Sequence, residues 1–226
     1  MQGIIIQGST KYANEIIHLY EGIANVVWST WEGEDVELIQ SKGIDVIQSI
    51  PPIIPGYLNI NYQTLSTYAG VKYLRDKGIT EALKIRGDLK PNNIKVLLNF
   101  LKGKPISFLA ICNQETKLRH LYYELEYTHT SYDFPVDLFL YGSLDNLEKC
   151  FNFQVKENYP IPPEALIAYN YFSNSKLKFD LSYDTFINNN ISFFMKECLE
   201  YNVEIEWLKY NIELIKYHSD LNLFNY

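Results

Sequence analysis

Over the first half of the chain, short runs of consecutive apolar residues alternate with stretches whose apolar positions recur every three or four residues. That pattern predicts buried parallel strands covered by amphipathic helices. Gly3 to Ile6 predicts a first strand, ended by Gln7-Gly8, with Ser9 or Thr10 capping a helix that runs through Tyr20. Asn25 to Ser29 predicts a second strand, Glu34 to Gln40 a short helix and Ile44 to Gln48 a third strand. Pro51-Pro52-Ile53-Ile54-Pro55-Gly56 can continue neither element and reads as a stiff loop. Asn61 to Lys77 predicts a long helix closed by Gly78.

Ala82 to Leu89 reads as the next strand, and its polar positions are unusual. Ala82, Lys84, Arg86 and Asp88 alternate with Leu83, Ile85 and Leu89, so an extended chain gathers the charges on one face. Asn92 to Leu101 then predicts a helix and Ile106 to Ile111 a buried strand. The second half is less regular. Leu121 to Tyr127 and Leu138 to Leu140 predict strands, while Leu144 to Phe151, Pro163 to Phe172, Tyr183 to Asn190 and Ile205 to Tyr217 predict helices. The expected fold is α/β: a Rossmann-type, mostly parallel sheet flanked by helices, with a helical C-terminal extension, all within one domain of 226 residues.

Composition narrows the partners. A formal charge of -7 and the absence of any Lys/Arg cluster argue against a nucleic-acid surface, which needs concentrated positive charge. Cys112, Cys150 and Cys198 are odd in number and widely spaced, which fits a reducing compartment better than a disulfide framework or a zinc site. The start lacks the pattern of a signal peptide, and no stretch approaches the ~18 apolar residues of a membrane span. A cytoplasmic protein is expected.

In open α/β sheets ligands bind beyond the carboxyl ends of the strands, where loops and helix starts converge. Here those ends are Gln7-Gly8-Ser9, Ser29-Thr30-Trp31-Glu32 and Arg86-Gly87-Asp88, all polar. They suit a nucleotide: Gln and Thr for base and ribose, Trp31 for stacking, and Lys84 and Arg86 for phosphate charge. Asp88 has two readings. It could ligate a divalent cation beside a diphosphate, with Gly87 letting backbone approach the ligand, or it could form an internal ion pair with Arg86 or Lys84. No GxGxxG follows the first strand and no GxxxxGK[ST] occurs, which disfavours a dinucleotide fold and a P-loop. Asp137, before the apolar Leu138-Phe139-Leu140 run, could act as a base or a metal ligand, or could be a turn aspartate. Asp133 and Glu164 are secondary candidates, and His129 could contact ligand.

Taken in order, several of these segments resemble the WavE lipopolysaccharide-synthesis family of glycosyltransferases. Gly3 to Gly8 looks like its opening strand and QG turn, and Val26 to Glu32 like its STWE strand. Asn61-Tyr62-Gln63 and Ser66 to Gly70 look like its N-x-Q and ST-x-x-G helix, Ala82 to Leu89 like its K-x-R-x-D strand, Val136 to Gly142 like its D-x-F-x-x-G segment, and Pro163-Glu164 like its PE helix. The likeness runs from residue 3 to about residue 172. Gly87 stands where the family more often has Ser or Thr.

The resemblance implies a GT-A-like fold, with residues 1–115 as a nucleotide-sugar-binding half and 116–226 as an acceptor-side half. It implies a metal-dependent glycosyltransferase moving sugar from a nucleotide-sugar donor to a glycan or glycolipid acceptor in surface-glycan synthesis. Gln7, Gly8, Thr30, Trp31, Gln63, Lys84, Arg86 and Asp88 would bind the donor, Asp88 would hold Mn²⁺ or Mg²⁺, and Asp137 would deprotonate the acceptor. The alternatives are a sugar nucleotidyltransferase, which would ordinarily carry a longer and more basic loop after the first strand, and a non-catalytic glycan- or nucleotide-binding module.

Overall fold

The computed structural model describes residues 1–104, 106–108, 111–112, 134–135, 138–156, 163–174, 192–193, 198 and 200–213. The expected elements Leu121 to Tyr127 and Tyr183 to Asn190 lie outside these residues, as do His129, Asp133 and Asp137. The strands are β1 (Gln2–Gln7), β2 (Val26–Trp31), β3 (Asp45–Ser49), β4 (Glu81–Arg86), β5 (Leu89–Pro91), β6 (Ser107–Phe108), β7 (Ile111–Cys112), β8 (Phe134–Pro135), β9 (Phe139–Ser143), β10 (Ser192–Phe193), β11 (Ile205–Trp207) and β12 (Ile212–Glu213). The α-helices are α1 (Ala13–Ile16), α2 (Glu37–Ser41), α3 (Ile60–Asp76), α4 (Ile94–Leu101), α5 (Leu144–Phe151) and α6 (Pro163–Asn174).

A sheet in the order β10-β6-β9-β4-β1-β2-β3 forms the centre. β3, β2, β1 and β4 are mutually parallel, and β9 alone runs antiparallel to its neighbours β4 and β6. This is the expected mostly parallel α/β sheet. All six residues of β2 are buried, as a strand covered on both faces requires. Alternation along the strands divides the core in two. Ile4, Ile6, Trp28, Leu83, Ile85 and Phe139 point into one layer with α2 and α4. Ile5, Val27, Ala82 and Leu140 point into the other, beneath α3, α5 and α6.

α3 sits very close to β1. A Cβ placed on Gly70 would lie 2.6 Å from Cγ2 of Ile5, a branched side chain in the middle of the sheet. Gly70→Val should therefore overpack this contact and destabilise the fold by roughly 1–3 kcal/mol, read as a lower urea midpoint. Unchanged stability would mean that α3 can lift from the sheet at little cost.

Three sequence expectations change. The span Ala82 to Leu89 is not one strand: β4 ends at Arg86, Gly87-Asp88 turns, and β5 leaves to pair antiparallel with β11. Alternation missed a turn that Gly-Asp chemistry favours. Ile205 to Tyr217 is not a helix over its described part. Asn211, with φ of 53°, closes a hairpin in which β11 pairs β12, so the described part of the C-terminal extension adds strands to β5. The helix expected through Tyr20 is broken into a 3-10 turn at Thr10–Tyr12, α1, and a second 3-10 segment at Ile17–Tyr20. Ser9 does cap its start, its hydroxyl accepting from the Lys11 N–H at 3.3 Å. Among the described residues no helix is long and apolar enough to cross a membrane.

Candidate functional site

The parallel strands bring their carboxyl ends to one edge. Gln7 of β1 lies between Ser29 of β2 and Arg86 of β4 in register, and these three form the last rung on the α3 side of the sheet. One rung deeper are Val27, Ile5, Lys84 and Leu140. Lys84 is fully buried, with its ammonium 5.6 Å from the centroid of the Phe151 ring. A lysine replaces a core residue here, at the floor of the edge.

α3 covers that rung with polar residues. Gly70 marks where the helix meets Ile5, and the helix runs back toward the carboxyl edge, so the preceding turns, which carry Thr67, Ser66 and Gln63, lie nearer that edge. The contact is direct at Ser29, whose hydroxyl donates to the Ser66 carbonyl at 2.7 Å. Thr64 and Ser66 turn their hydroxyls back onto their own helix, to Asn61 O and Tyr62 O. Thr67 does not. Its Oγ1, which can donate or accept, and the Oε1 atoms of Gln7 and Gln63 are buried oxygens without a hydrogen-bond partner. Thr67 and Gln7 are 0% and 6% exposed.

Asn61 fastens the start of α3. Its Nδ2 donates to Ile54 O at 2.9 Å and Val155 O at 2.8 Å, and its Oδ1 accepts from Val155 N at 2.8 Å. One amide thereby joins the proline loop, the helix and the segment after α5. Beside it Tyr62 meets Trp31 edge to face, with ring centroids 4.8 Å apart.

On the opposite side of the edge Thr30 is fully buried, with its Oγ1 also unpartnered. Gly8, at φ 111°, ends β1 in a conformation that favours glycine, and a Cβ there would meet nothing within 4 Å. The loop after it is already engaged. Glu34 accepts from Ser9 Oγ, Thr10 N and Thr10 Oγ1 at 3.1, 3.1 and 2.7 Å. Partial burial pushes this carboxyl up, but the hydrogen bonds from Thr10 and Ser9 outweigh it and hold the group below the usual carboxylate range.

Of the two sequence readings of Asp88, the geometry is that of the internal ion pair. Arg86 forks the carboxylate through Nε to Oδ1 at 3.0 Å and NH2 to Oδ2 at 2.6 Å, and Trp207 Nε1 donates to Oδ2 at 3.0 Å. The Arg86 guanidinium also lies 5.5 Å from the Trp207 ring centroid. Three N–H donors fill most of the acceptor sites a carboxylate offers, and a divalent cation at the fourth would sit against the guanidinium. The donor set at Asp88 therefore does not fit Mn²⁺ or Mg²⁺ in this arrangement, and no group of three or more His, Cys, Asp or Glu suited to a metal occurs among the described residues. Gly87 serves packing rather than ligand approach: its N–H donates to Gln7 O at 2.8 Å, and a Cβ would come within 3.0 Å of Ser9 O and Trp28 Cζ2.

The fold thus brings Gln7, Gly8, Thr30, Trp31, Gln63, Lys84, Arg86 and Asp88 to one edge, with Asp137 outside the described residues. Reading the sequence missed Thr67, the clamping role of Asn61, and Trp207. Thr67 was legible as one residue of a sheet-facing helical stripe; Trp207 carried no signal, because it arrives from more than a hundred residues away.

No protein-family model matches the chain, and no curated protein matches it. Similar solved structures include a cytidylyltransferase from Leptospira borgpetersenii serovar Hardjo-bovis, with 14% identity over 78% of this chain and 73% of that one at a TM-score of 0.43. A putative glucose-1-phosphate thymidylyltransferase from Bacillus anthracis is similar at 8% identity over 85% of both chains and a TM-score of 0.47. A CMP:2-keto-3-deoxy-manno-octonic acid synthetase complexed with CTP is similar at 14% identity over 85% of this chain and 88% of that one, with a TM-score of 0.46. Scores of this size do not establish a shared activity.

Proposed function

We propose that the chain is a transferase of nucleotide-sugar chemistry, with its ligand at the carboxyl edge of β1, β2 and β4. One observation carries this reading: Gln7 and Thr30 on the strand ends, with Gln63 and Thr67 on α3, keep buried side-chain oxygens without a partner, and Arg86 is the register neighbour of Gln7. A buried acceptor without a partner costs about 1–3 kcal/mol, and such groups call for a bound species that completes them. A ligand suited to this edge would complete the oxygens of Gln7, Gln63 and Thr67, carry negative charge beside Arg86, and present a planar group near the Trp31 and Tyr62 rings. A nucleotide joined to a sugar through phosphate has all three.

Two reactions use such a ligand. In nucleotidyl transfer a sugar phosphate displaces pyrophosphate from a nucleoside triphosphate; in glycosyl transfer a glycan or glycolipid hydroxyl displaces a nucleoside phosphate from the sugar. The first is the activity that the names of the similar structures carry, so it is the one to assay first. The second is what the WavE resemblance implies, with Asp137 as the proposed base. In both, Arg86 would exchange part of its contact with Asp88 for phosphate oxygens.

The test is a thermal-shift screen of nucleoside triphosphates, diphosphates and nucleotide sugars, with and without Mn²⁺, followed by turnover of whatever binds. A ligand at ~100 Kd stabilises by about 2.7 kcal/mol, a rise of roughly 5–10 °C for a chain of this size. Pyrophosphate release with a sugar phosphate identifies nucleotidyl transfer, and nucleoside diphosphate release from a nucleotide sugar identifies glycosyl transfer. Binding without either leaves a binding module. No shift with any nucleotide, with or without the cation, overturns the reading.

A further inference from the structure

We propose that Trp207, on the C-terminal hairpin, is a positioning residue for phosphate binding: through Asp88 it orients Arg86, so that anion binding at the sheet edge and docking of the β11–β12 hairpin support each other. The proposal rests on the nucleotide-sugar reading for the source of the phosphate, and on the contacts around Arg86 for the place. Arg86 ends β4 as the register neighbour of Gln7, at the carboxyl edge. A guanidinium carries five N–H donors along two forked edges, and the chain uses one of these edges. Nε donates to Asp88 Oδ1 at 3.0 Å and Nη2 to Oδ2 at 2.6 Å. The other edge, made by Nη1 and the second hydrogen of Nη2, has no hydrogen-bond partner among the described residues. Nη1 is nonetheless not among the buried unpartnered atoms, and the side chain is 24% exposed, so solvent reaches this edge.

An open fork of N–H donors on a cation suits an anion that presents two oxygens side by side, as phosphate and pyrophosphate do. A free arginine loses rotamer freedom when it binds; here the ion pair has already fixed the side chain, so less remains to be lost. Trp207 completes that arrangement. Its Nε1 donates to Asp88 Oδ2 at 3.0 Å, and its ring centroid lies 5.5 Å from the guanidinium. The backbone adds a second tie, from Leu208 N to Asp88 O at 2.9 Å. Because Nη2 belongs to both edges, a phosphate on the open edge draws it partly away from Oδ2. The indole N–H stays on that oxygen and Nε stays on Oδ1, so Asp88 still holds Arg86 in its orientation. Shared less with Nη2, the carboxylate holds the indole more firmly. By linkage, an anion that favours the docked hairpin is itself bound more tightly when the hairpin is docked.

Trp207→Phe keeps an aromatic ring and removes the indole N–H. It should bind pyrophosphate about 3- to 10-fold more weakly, the range expected for one lost hydrogen bond, and bind the bare nucleoside unchanged. Arg86→Lys keeps the charge but cannot fork, and should weaken pyrophosphate binding about 10-fold or more. Since Trp207 acts through Arg86, adding Trp207→Phe to Arg86→Lys should cause no further loss. A residue that served only the fold would weaken every ligand alike in either background. In the unaltered protein, bound pyrophosphate should slow hydrogen exchange at the amides of residues 205–208 by at least about threefold.

The experiment is calorimetric titration of wild type, Trp207→Phe, Arg86→Lys and the double variant with pyrophosphate, with UDP, dTDP and GDP, and with the three nucleosides. Hydrogen exchange of the wild type with and without pyrophosphate accompanies it, and decides the matter even if Trp207→Phe folds poorly. Loss confined to the phosphate-bearing ligands, absent from the Arg86→Lys background, supports the proposal, as does slower exchange at 205–208. Unchanged pyrophosphate affinity in Trp207→Phe, an equal loss for nucleosides, or a further loss on top of Arg86→Lys overturns it. So does faster or unchanged exchange at 205–208 with pyrophosphate bound, which would mean that the anion does not favour the docked hairpin. If no nucleotide binds but pyrophosphate binds in a Trp207-dependent way, the nucleotide-sugar reading fails and the role of Trp207 stands. If nucleotides bind without regard to Trp207, that role falls alone; if wild type binds none of these ligands, both fall.

Discussion

Asp88→Ala is expected to lose about 2–4 kcal/mol of folding stability, which for a chain of this size lowers the melting temperature by roughly 5–15 °C. The carboxylate is the shared acceptor of a forked guanidinium and an indole N–H, and the side chains of Arg86 and Asp88 are only 24% and 11% exposed. Removing it strands a partly buried cation and frees the β11–β12 hairpin from the turn, where the backbone bond from Leu208 N to Asp88 O at 2.9 Å would remain as a weaker tie. Asp88→Asn should fall between, because one amide oxygen still accepts but the amide nitrogen faces the guanidinium. The urea midpoint measures the loss. A fully stable Asp88→Ala protein would return Asp88 to the role of a ligand-facing carboxylate.

Asn61→Leu is expected to have the larger effect, about 3–5 kcal/mol. Leucine keeps the branching of asparagine but is larger and has none of its hydrogen bonding, so Ile54 O, Val155 N and Val155 O all lose their partner at a position only 2% exposed. Each unmet group costs about 1–3 kcal/mol, less where water can reach it. The damage should be local in its consequences. Leu58 and Asn59 immediately before α3 hold positive φ angles of 48° and 62°, a strained approach that the Asn61 clamp helps to hold in place. Loosening it should raise hydrogen exchange at residues 51–60 and at 153–155 before it does so in β1 or β2. Uniform loss of protection across the sheet would show that the clamp is part of the global core instead.

The expected losses at Asp88 and Asn61 mark one of two kinds of polar residue at the edge. Asn61 and Asp88 have all their partners within the chain and hold elements together. Gln7, Gln63 and Thr67 each keep a buried oxygen without a hydrogen-bond partner, which costs stability.

Much of this was legible from residue order. Continuous apolar runs such as Gly3 to Ile6 and Asn25 to Ser29 can only be strands covered on both faces, since either face left open would expose isoleucine, valine or tryptophan to water. Amphipathic spacing placed α3 within one residue of its observed start and end. The parallel βαβ order then determined which strand ends meet, and hence that Gln7, Trp31 and Arg86 would share an edge. Local turn chemistry was harder to weigh against periodicity. Gly87-Asp88 and Asn211 each break a pattern that alternation or helical spacing extends, because a single residue with turn geometry redirects a chain that many apolar residues would otherwise continue.

Tertiary structure alone decided the fate of individual polar groups. Lys84, Arg86 and Asp88 read in sequence as one charged strand face, yet Lys84 is buried against Phe151 while Arg86 and Asp88 close on each other. Which of these happens depends on what packs against each side chain. For Asp88 the deciding neighbour is Trp207, 119 residues away, whose arrival no local pattern announces. The same holds for Thr67. Its spacing assigns it to the buried face of α3, but only the tertiary packing around it leaves its hydroxyl without a hydrogen-bond partner. Periodicity determines which way a residue points; the hydrogen bonds it finds there depend on contacts far apart in the chain.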